Sequence, residues 1–188
     1  MEIKKILNSF LEIALLVVIA LAIVIPIRTY VFQPFIVNGS SMEPSFYSGD
    51  YLIVDEFTYH FTDKPKRGDV IVFDYPLNPE FKYIKRVVGI PGEIVSIRGG
   101  VVTIIPEEGE AFVLDESKYL SEDNLNAWEY LNNFESERLG ENEYFVLGDN
   151  RNGSSDSRKW GTLPLKNIDG KVFLRFSPKE PASQKIYE

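Results

Sequence analysis

The chain contains 188 residues, of which 44% are hydrophobic and 13% aromatic, and its formal net charge is -8. These values are typical of a folded protein, and the length fits one globular domain with an appendage. Because the sequence has no cysteine and only one histidine, His60, it excludes thiol nucleophiles, disulfide bonds, thiolate metal sites and a multi-histidine metal centre.

The first predicted element is an apolar helix that anchors the chain in a membrane. Residues 13–27 contain no polar side chain, and the apolar span over residues 6–27 is long enough to cross a bilayer. A cleavable signal peptide is the alternative, since Ala20-Leu21-Ala22 has the small residues of a cleavage site. That tripeptide lies inside the apolar run, so we expect an uncleaved anchor with a cytoplasmic N-terminus over residues 1–5.

From residue 28 onward the pattern changes to short runs of β-branched and aromatic residues, separated by glycine and proline. Such runs favour an all-β, partly closed sheet and do not fit units in which strands alternate with helices. We therefore expect a mainly β domain over residues 28–105 and 143–188. The predicted strands cover residues 31–37, 51–54, 70–73, 83–88, 94–97, 101–105, 144–147 and 171–176.

The segment over residues 106–142 interrupts this series of strands and concentrates the negative charge. Twelve acidic residues lie between Glu107 and Glu143, against two basic ones. We interpret this acidic segment as an inserted cap, and a solvated loop without a specific partner fits its composition equally well. Because the chain shows no concentrated basic face, nucleic acid is not an expected partner.

Three short motifs carry the candidate chemistry. Ser41 follows a predicted strand in the sequence Gly39-Ser40-Ser41-Met42-Glu43-Pro44, where a turn exposes a hydroxyl and a backbone N–H to a substrate carbonyl. Lys85 lies in a mostly apolar strand, and burial there lowers the pKa of an amine toward the range in which it acts as a base. Between Gly148 and Arg158, turn formers, hydroxyls and opposite charges predict a rigid hydrogen-bonded loop that orients other groups.

Each motif taken alone has an ordinary alternative. A Gly-Ser-Ser sequence is common in turns, a lysine in a strand is usually exposed, and the composition of the third motif also fits a calcium loop. The order of its oxygen ligands and its two arginines disfavour calcium. His60 is the only base available for a Ser-His-Asp triad, and it lies in an aromatic stretch with no serine motif nearby.

Together, in this order and behind an apolar anchor, the motifs resemble the conserved boxes of type I signal peptidases. A further box of that family matches Arg67-Gly68-Asp69-Val70, and the resemblance covers nearly the whole chain apart from the acidic segment. It implies a membrane-bound serine endopeptidase that removes N-terminal signal peptides from exported preproteins by acyl transfer. The implied cut follows small residues at the first and third positions before it. No metal or organic cofactor is implied.

The resemblance also implies partners and a location. The expected partners are the signal peptides of exported preproteins, the lipid bilayer and the secretion translocon. The anchor would place the catalytic β domain on the extracytoplasmic side of the plasma membrane.

The same resemblance assigns roles to single residues. Ser41 is the nucleophile, Lys85 is its base, and Ser154 hydrogen-bonds the lysine amine and orients it. The Ser41 N–H contributes to the oxyanion hole, while Gly39 stands where some members carry a serine that supplies a second donor, so the second donor stays open. The bracing residues are the pair Asp156 and Arg158 together with Asp149 and Arg151. The residues expected to contact the substrate are Phe35, Val37, Met42, Tyr83 and Ile84.

Two other functions remain compatible with the motifs. One is a different Ser/Lys peptidase, such as a self-cleaving repressor-type protease, which the anchor disfavours, or a pilus-processing enzyme. The other is a catalytically silent anchored β domain that binds peptides. The presence of Ser41, Lys85, Ser154 and Asp156 disfavours the silent domain.

Overall fold

Antiparallel pairing dominates the part of the chain that the computed structural model describes, which comprises residues 2–30, 32–61, 63–120, 133–178 and 185–186. The strands are β1 (Phe32–Ile36), β2 (Tyr51–Asp55), β3 (Val70–Asp74), β4 (Lys82–Gly89), β5 (Ile94–Arg98), β6 (Val101–Ile105), β7 (Phe112–Val113), β8 (Phe134–Glu135), β9 (Glu143–Leu147), β10 (Leu163–Pro164), β11 (Ile168–Phe176) and β12 (Lys185–Ile186). The helices are α1 (Glu2–Tyr30), α2 (Phe57–Phe61) and α3 (Ser157–Trp160), with a 3-10 turn at Leu165–Asn167. The predicted mainly β fold is confirmed, and the ends of the eight predicted strands differ by at most three residues from those observed.

The N-terminal helix α1 contains the predicted anchor, residues 6–27. Its described apolar side chains are mostly exposed, with Phe10 at 67% and Leu16 at 66%. The helix therefore presents an apolar surface instead of burying it against the sheets. Among the described residues, no helix combines the length and the apolarity that crossing a membrane requires.

The larger sheet joins strands that are far apart in sequence. Its order is β1-β2-β11-β3-β4-β9-β10, with β12 paired to β11. Strand β11 pairs with both β2 and β3, with one register shift at Phe173 on the β2 side and one at Asp169 on the β3 side. This order places β1 at an edge of the sheet and β4 in its interior, between β3 and β9.

The smaller sheet has the order β7-β6-β5-β8 and includes residues of the acidic segment. Strands β7 and β8 come from that segment, so the boundary predicted at residue 106 falls between strands of one sheet. The sheet packs on β4 and β9 through a cluster of buried apolar side chains. These are Val88, Val95, Ile97, Val102, Ile104, Leu139, Phe145 and Leu147.

A second apolar cluster lies below the turn that carries Ser41. Two residues of this turn, Met42 and Phe46, are 1% and 0% exposed. They pack against residues of β2, β3 and β11, namely Leu52, Val54, Val70, Val72 and Val172. Because these two side chains are buried on the sheet, the turn between them is held in one position.

Candidate active site

The turn between β1 and β2 presents Ser41 on a closed, hydrogen-bonded loop. Val37 N–H donates to Asp50 O and Gly49 N–H donates to Val37 O, both at 2.9 Å, so the two ends of the loop meet. Gly39 has a φ of 99°, a left-handed conformation that favours glycine. A glycine at this position offers no side-chain donor.

Lys85 lies within hydrogen-bond distance of Ser41. Lys85 Nζ is 2.8 Å from Ser41 Oγ, and it also donates to Ile84 O at 2.8 Å. The side chain enters from β4, in the interior of the sheet, and Lys85 is only 3% exposed. Burial lowers the pKa of Lys85 to about 8, although the charges of Asp156 and Asp149 raise it in part.

Ser154 is buried beside Ser41, but the hydrogen bond expected between Ser154 and Lys85 is not formed. Ser154 is 1% exposed, and its Oγ has no hydrogen-bond partner among the described residues. Lys85 Nζ donates instead to Ser41 Oγ and to Ile84 O, the carbonyl oxygen of its neighbour in β4. Ser154 instead packs against Gly148, where an added Cβ would collide with Ser154 Oγ.

Asp156 ties the loop from Gly148 to Arg158 together. Its carboxylate is fully buried and accepts the Gly148 N–H at 3.1 Å. It also accepts the Arg158 guanidinium at 2.7 and 2.8 Å, and it caps α3 by accepting the Arg158 N–H. The expected pair of Asp156 and Arg158 is therefore present. Arg158 in turn donates to Arg151 O at 2.7 Å, which closes the loop on itself.

The two remaining charges of the loop find partners elsewhere in the fold. Asp149 accepts two hydrogen bonds from Arg86, at 2.9 and 2.6 Å, and both side chains are almost fully buried. Arg151 pairs with Glu116 of the acidic segment, at 2.8 Å. Arg86 and Glu116 were not predicted as site residues. The sequence did offer a signal for Arg86, because it follows Lys85 in an apolar strand. Neighbouring strand residues point to opposite faces, so a buried Arg86 needs a charged partner on the other face from Lys85.

Asn150 connects this loop to the turn that carries Ser41. Its backbone N–H donates to Ser41 O at 3.0 Å, and its side-chain Nδ2 donates to Ser40 O at 3.1 Å. Gly153 N–H donates to Asn150 Oδ1 at 3.0 Å and so orients the amide. Asn150 therefore holds the backbone on both sides of the Ser40–Ser41 peptide bond.

A groove of about 330 Å³ runs beside Ser41 and Lys85. Four of the five residues expected to contact the substrate line it: Phe35, Val37, Tyr83 and Ile84. Met42, the fifth, is buried in the apolar cluster below the turn and is not among the residues that line the groove. Leu52 and Val72 line it instead, since β2 and β3 form its floor.

Comparison with known proteins places these motifs in one family. A family model described as signal peptidase, peptidase S26, matches residues 10–177, which include Ser41, Lys85 and the loop from Gly148 to Arg158. The chain belongs to this signal peptidase family. Membership confirms the expected class of enzyme, a serine endopeptidase.

Individual members of the family match most of the chain. The signal peptidase I of Leptolyngbya laminosa is 37% identical over 183 residues, which cover 93% of this chain and 81% of that protein. The signal peptidase I P of Bacillus subtilis subsp. natto is 34% identical over 167 residues, which cover 86% of each chain. A crystal structure of a signal peptidase I from Enterococcus faecalis V583 is 31% identical and covers 58% of this chain and 97% of that one, with a TM-score of 0.45.

Proposed function

We propose that the chain removes N-terminal signal peptides from exported preproteins, with Ser41 as the nucleophile and Lys85 as the base. The observation that carries the proposal is the 2.8 Å approach of Lys85 Nζ to Ser41 Oγ at a buried position. With the pKa of Lys85 lowered to about 8, about a tenth of the amine is neutral at pH 7, against fewer than about one in a thousand at the ordinary pKa. The names of the relatives, all signal peptidases, support the class of substrate.

In the acylation step, Ser41 Oγ attacks the scissile carbonyl carbon while its proton passes to the neutral Lys85 Nζ. The bond between this carbon and the leaving nitrogen then breaks, and the Lys85 ammonium returns the proton to the leaving amine. In deacylation, Lys85 takes a proton from water, and the resulting hydroxide attacks the ester carbonyl. Ser41 Oγ leaves as the alcohol with a proton from Lys85, so the base is regenerated in each half of the cycle.

The Ser41 N–H is the first donor to the oxyanion of this reaction. A trans peptide bond is planar, so the Ser40 carbonyl and the Ser41 N–H point in opposite directions. Because Asn150 Nδ2 holds the Ser40 carbonyl on the side of the loop, the Ser41 N–H is directed away from that loop. A backbone donor fixed in this way stabilises the developing negative charge without having to reorient.

The groove supports a preference for small side chains next to the cut. An extended substrate can pair with the edge strand β1. The hydrogen bonds of the substrate backbone then supply affinity that depends little on the substrate sequence. Alternate substrate side chains then point at the apolar lining formed by Phe35, Val37 and Ile84. A shallow, rigid apolar lining admits alanine-sized groups and rejects larger ones by steric overlap.

We further propose that α1 anchors the chain in the plasma membrane, with the β domain on the extracytoplasmic side. The support is the apolar sequence of residues 6–27 and the exposure of apolar side chains along α1, such as Phe10, Leu16 and Val18. Two lysines precede the apolar span and one arginine follows it, a balance that favours a cytoplasmic N-terminus. Signal peptides leaving the secretion translocon would then meet the groove at the membrane surface.

The test compares the wild-type chain, Ser41→Ala, Lys85→Met and the exposed control Lys166→Met on a preprotein with alanine at the first and third positions before the cut. Either active-site substitution should lower the cleavage rate by at least about 1,000-fold, while the control should cleave normally. A preprotein with leucine at those positions should resist cleavage, which separates this function from that of other Ser/Lys peptidases. Substantial cleavage by Ser41→Ala or Lys85→Met would refute the assignment.

A further inference from the structure

A stretch of the acidic segment, Leu114 to Leu120, contacts the loop from Gly148 to Arg158, and we call this stretch the clasp. Its first end is held by Leu114 N–H, which donates to Val102 O of β6 at 2.9 Å. Its other end, Leu120, is 5% exposed, and the Leu120 N–H donates to Glu116 O at 2.9 Å. The clasp is therefore a defined, partly buried turn and not a solvated loop.

Glu116 is the buried charge of the clasp. The Glu116 side chain is 3% exposed, and that of its partner Arg151 is 1% exposed. Both carboxylate oxygens accept hydrogen bonds from the Arg151 guanidinium, and Oε1 also accepts the Tyr119 hydroxyl at 2.8 Å. A guanidinium bound by both oxygens of one carboxylate has a fixed orientation.

Arg151 carries this orientation to the nucleophile. Its Nε donates to Gly148 O at 3.1 Å. Gly148 lies so close to the nucleophile turn that an added Cβ would collide with the Ser41 carbonyl oxygen and with Ser154. If the Arg151 side chain moves, the Gly148 backbone that packs on Ser41 moves with it.

A second set of contacts connects the clasp to the strand that carries Lys85. The Arg86 guanidinium lies 4.1 Å from the centroid of the Tyr119 ring, and Arg86 follows Lys85 directly in β4. The Tyr119 carbonyl oxygen accepts Ser45 Oγ at 3.5 Å, and Ser45 belongs to the turn that carries Ser41. The clasp therefore touches each of the three parts of the chain that supply the catalytic groups.

We propose that Glu116 is a positioning residue for acyl transfer and that the clasp completes the active site. This inference rests on the proposed function, since it takes Ser41 and Lys85 as the reacting pair. Glu116 contacts neither of them and acts through Arg151 and Gly148. The acidic segment thereby gains a role that its composition did not indicate.

The test uses the full chain with Glu116→Asp, Glu116→Gln and the control Glu110→Gln, an exposed acidic residue of the same segment. Glu116→Asp keeps the negative charge that Arg151 needs but shortens the side chain that carries it. The substitution therefore shifts the carboxylate without leaving a buried charge unpaired. The readout is acylation of Ser41 by a penem β-lactam, followed by mass spectrometry over a range of concentrations. This reaction needs no signal peptide and yields a maximal rate and a half-saturating concentration separately.

We expect Glu116→Asp to lower the maximal acylation rate by about tenfold and Glu116→Gln to lower it further, because small displacements of reacting groups are costly. The half-saturating concentration should change by less than about twofold, since the groove is untouched. The Glu110→Gln rate should equal that of the wild type. A folded Glu116→Asp variant that is acylated at the wild-type rate would overturn the proposal.

Folding is checked for every variant by its thermal unfolding curve. If Glu116→Gln does not fold, Glu116→Asp decides alone. If neither folds, Tyr119→Phe decides, because it removes only the hydrogen bond to Glu116, and an unchanged maximal rate then overturns the proposal. A failure of the proposed function looks different, since the wild-type chain itself would then resist acylation or leave the preprotein uncut.

Discussion

Gly148 lies where Ser41, Ser154 and Asp156 come together. Its N–H donates to Asp156, and an added Cβ would stand 2.6 Å from Ser154 Cβ and collide with the Ser41 carbonyl oxygen. Gly148→Ala should therefore displace the turn that carries Ser41. Because a displacement of about 1 Å can cost on the order of 100-fold in rate, kcat on a preprotein should fall by about that factor.

Gly140→Ala is the matched control for this substitution. The three atoms nearest to its added Cβ all belong to the flexible side chain of Glu143, the closest at 3.2 Å. Steady-state cleavage by this variant should match that of the wild type. A Gly148→Ala enzyme with wild-type kcat would contradict the contact between Gly148 and the nucleophile turn.

Local spacing explains which site residues the sequence could indicate. Asp156 and Arg158 lie two positions apart in one loop, so their pairing follows from short-range geometry. The partner of Asp149 is Arg86, which is 63 positions away, and no local pattern selects it among the other charges. The same holds for Glu116, which looks like any other acidic residue of its segment until the fold brings it to Arg151.

At the scale of elements, alternation and β-branched runs predicted every strand of five or more residues, because such strands have room for a periodic pattern. The two-residue strands β7, β8, β10 and β12 show no period and were not predicted. The short helices α2 and α3 were not predicted either, for the same reason. The neighbours of β11 depend on tertiary packing, so the order of the sheet could not be derived from the sequence.

The helix α1 supports a prediction about the membrane. In closed vesicles with the extracytoplasmic face outward, added protease should digest the β domain and leave a tag at the N-terminus intact. The chain should also resist extraction by alkaline carbonate. Replacing Leu16 and Val18 with arginine should release it, since each arginine in the middle of a span costs about 2.5–3.5 kcal/mol.

The matched control for this experiment replaces Leu16 and Val18 with isoleucine, which keeps the helix apolar. Complete extraction of the wild-type chain by carbonate would contradict the anchor. Digestion of the N-terminal tag together with the β domain would contradict the orientation.

For the molecule as a whole, Lys85 lowers the free energy of unfolding at neutral pH. Its pKa is about 8 in the folded chain and about 10.4 when unfolded, so between these values the unfolded chain binds more protons and stability rises with pH. Below pH 8 both states are protonated, and the folded chain carries the full cost of a buried ammonium, about 3 kcal/mol. Above pH 10.4 this cost is gone.

Lys85→Met should therefore be more stable than the wild type at pH 7, by about 1–3 kcal/mol, and this advantage should shrink as the pH rises above 8. Urea unfolding at pH 7 and at pH 10 measures the difference. Lys166→Met, at an exposed position, serves as the control and should show no such trend. An advantage of Lys85→Met that is equal at both pH values would contradict the assignment of the lowered pKa to Lys85.

The position of β11 bears on the order in which the chain can fold as it is synthesised. This strand, residues 168–176, separates β2 from β3 in the finished sheet, and Asn150 reaches back 110 positions to the turn of Ser41. In a chain still being synthesised, β2 and β3 therefore have no strand between them, and the backbone at Ser40 and Ser41 lacks its contacts with Asn150. We expect Lys85 Nζ and Ser41 Oγ to reach their hydrogen-bonded geometry only after residues 148–176 have been synthesised.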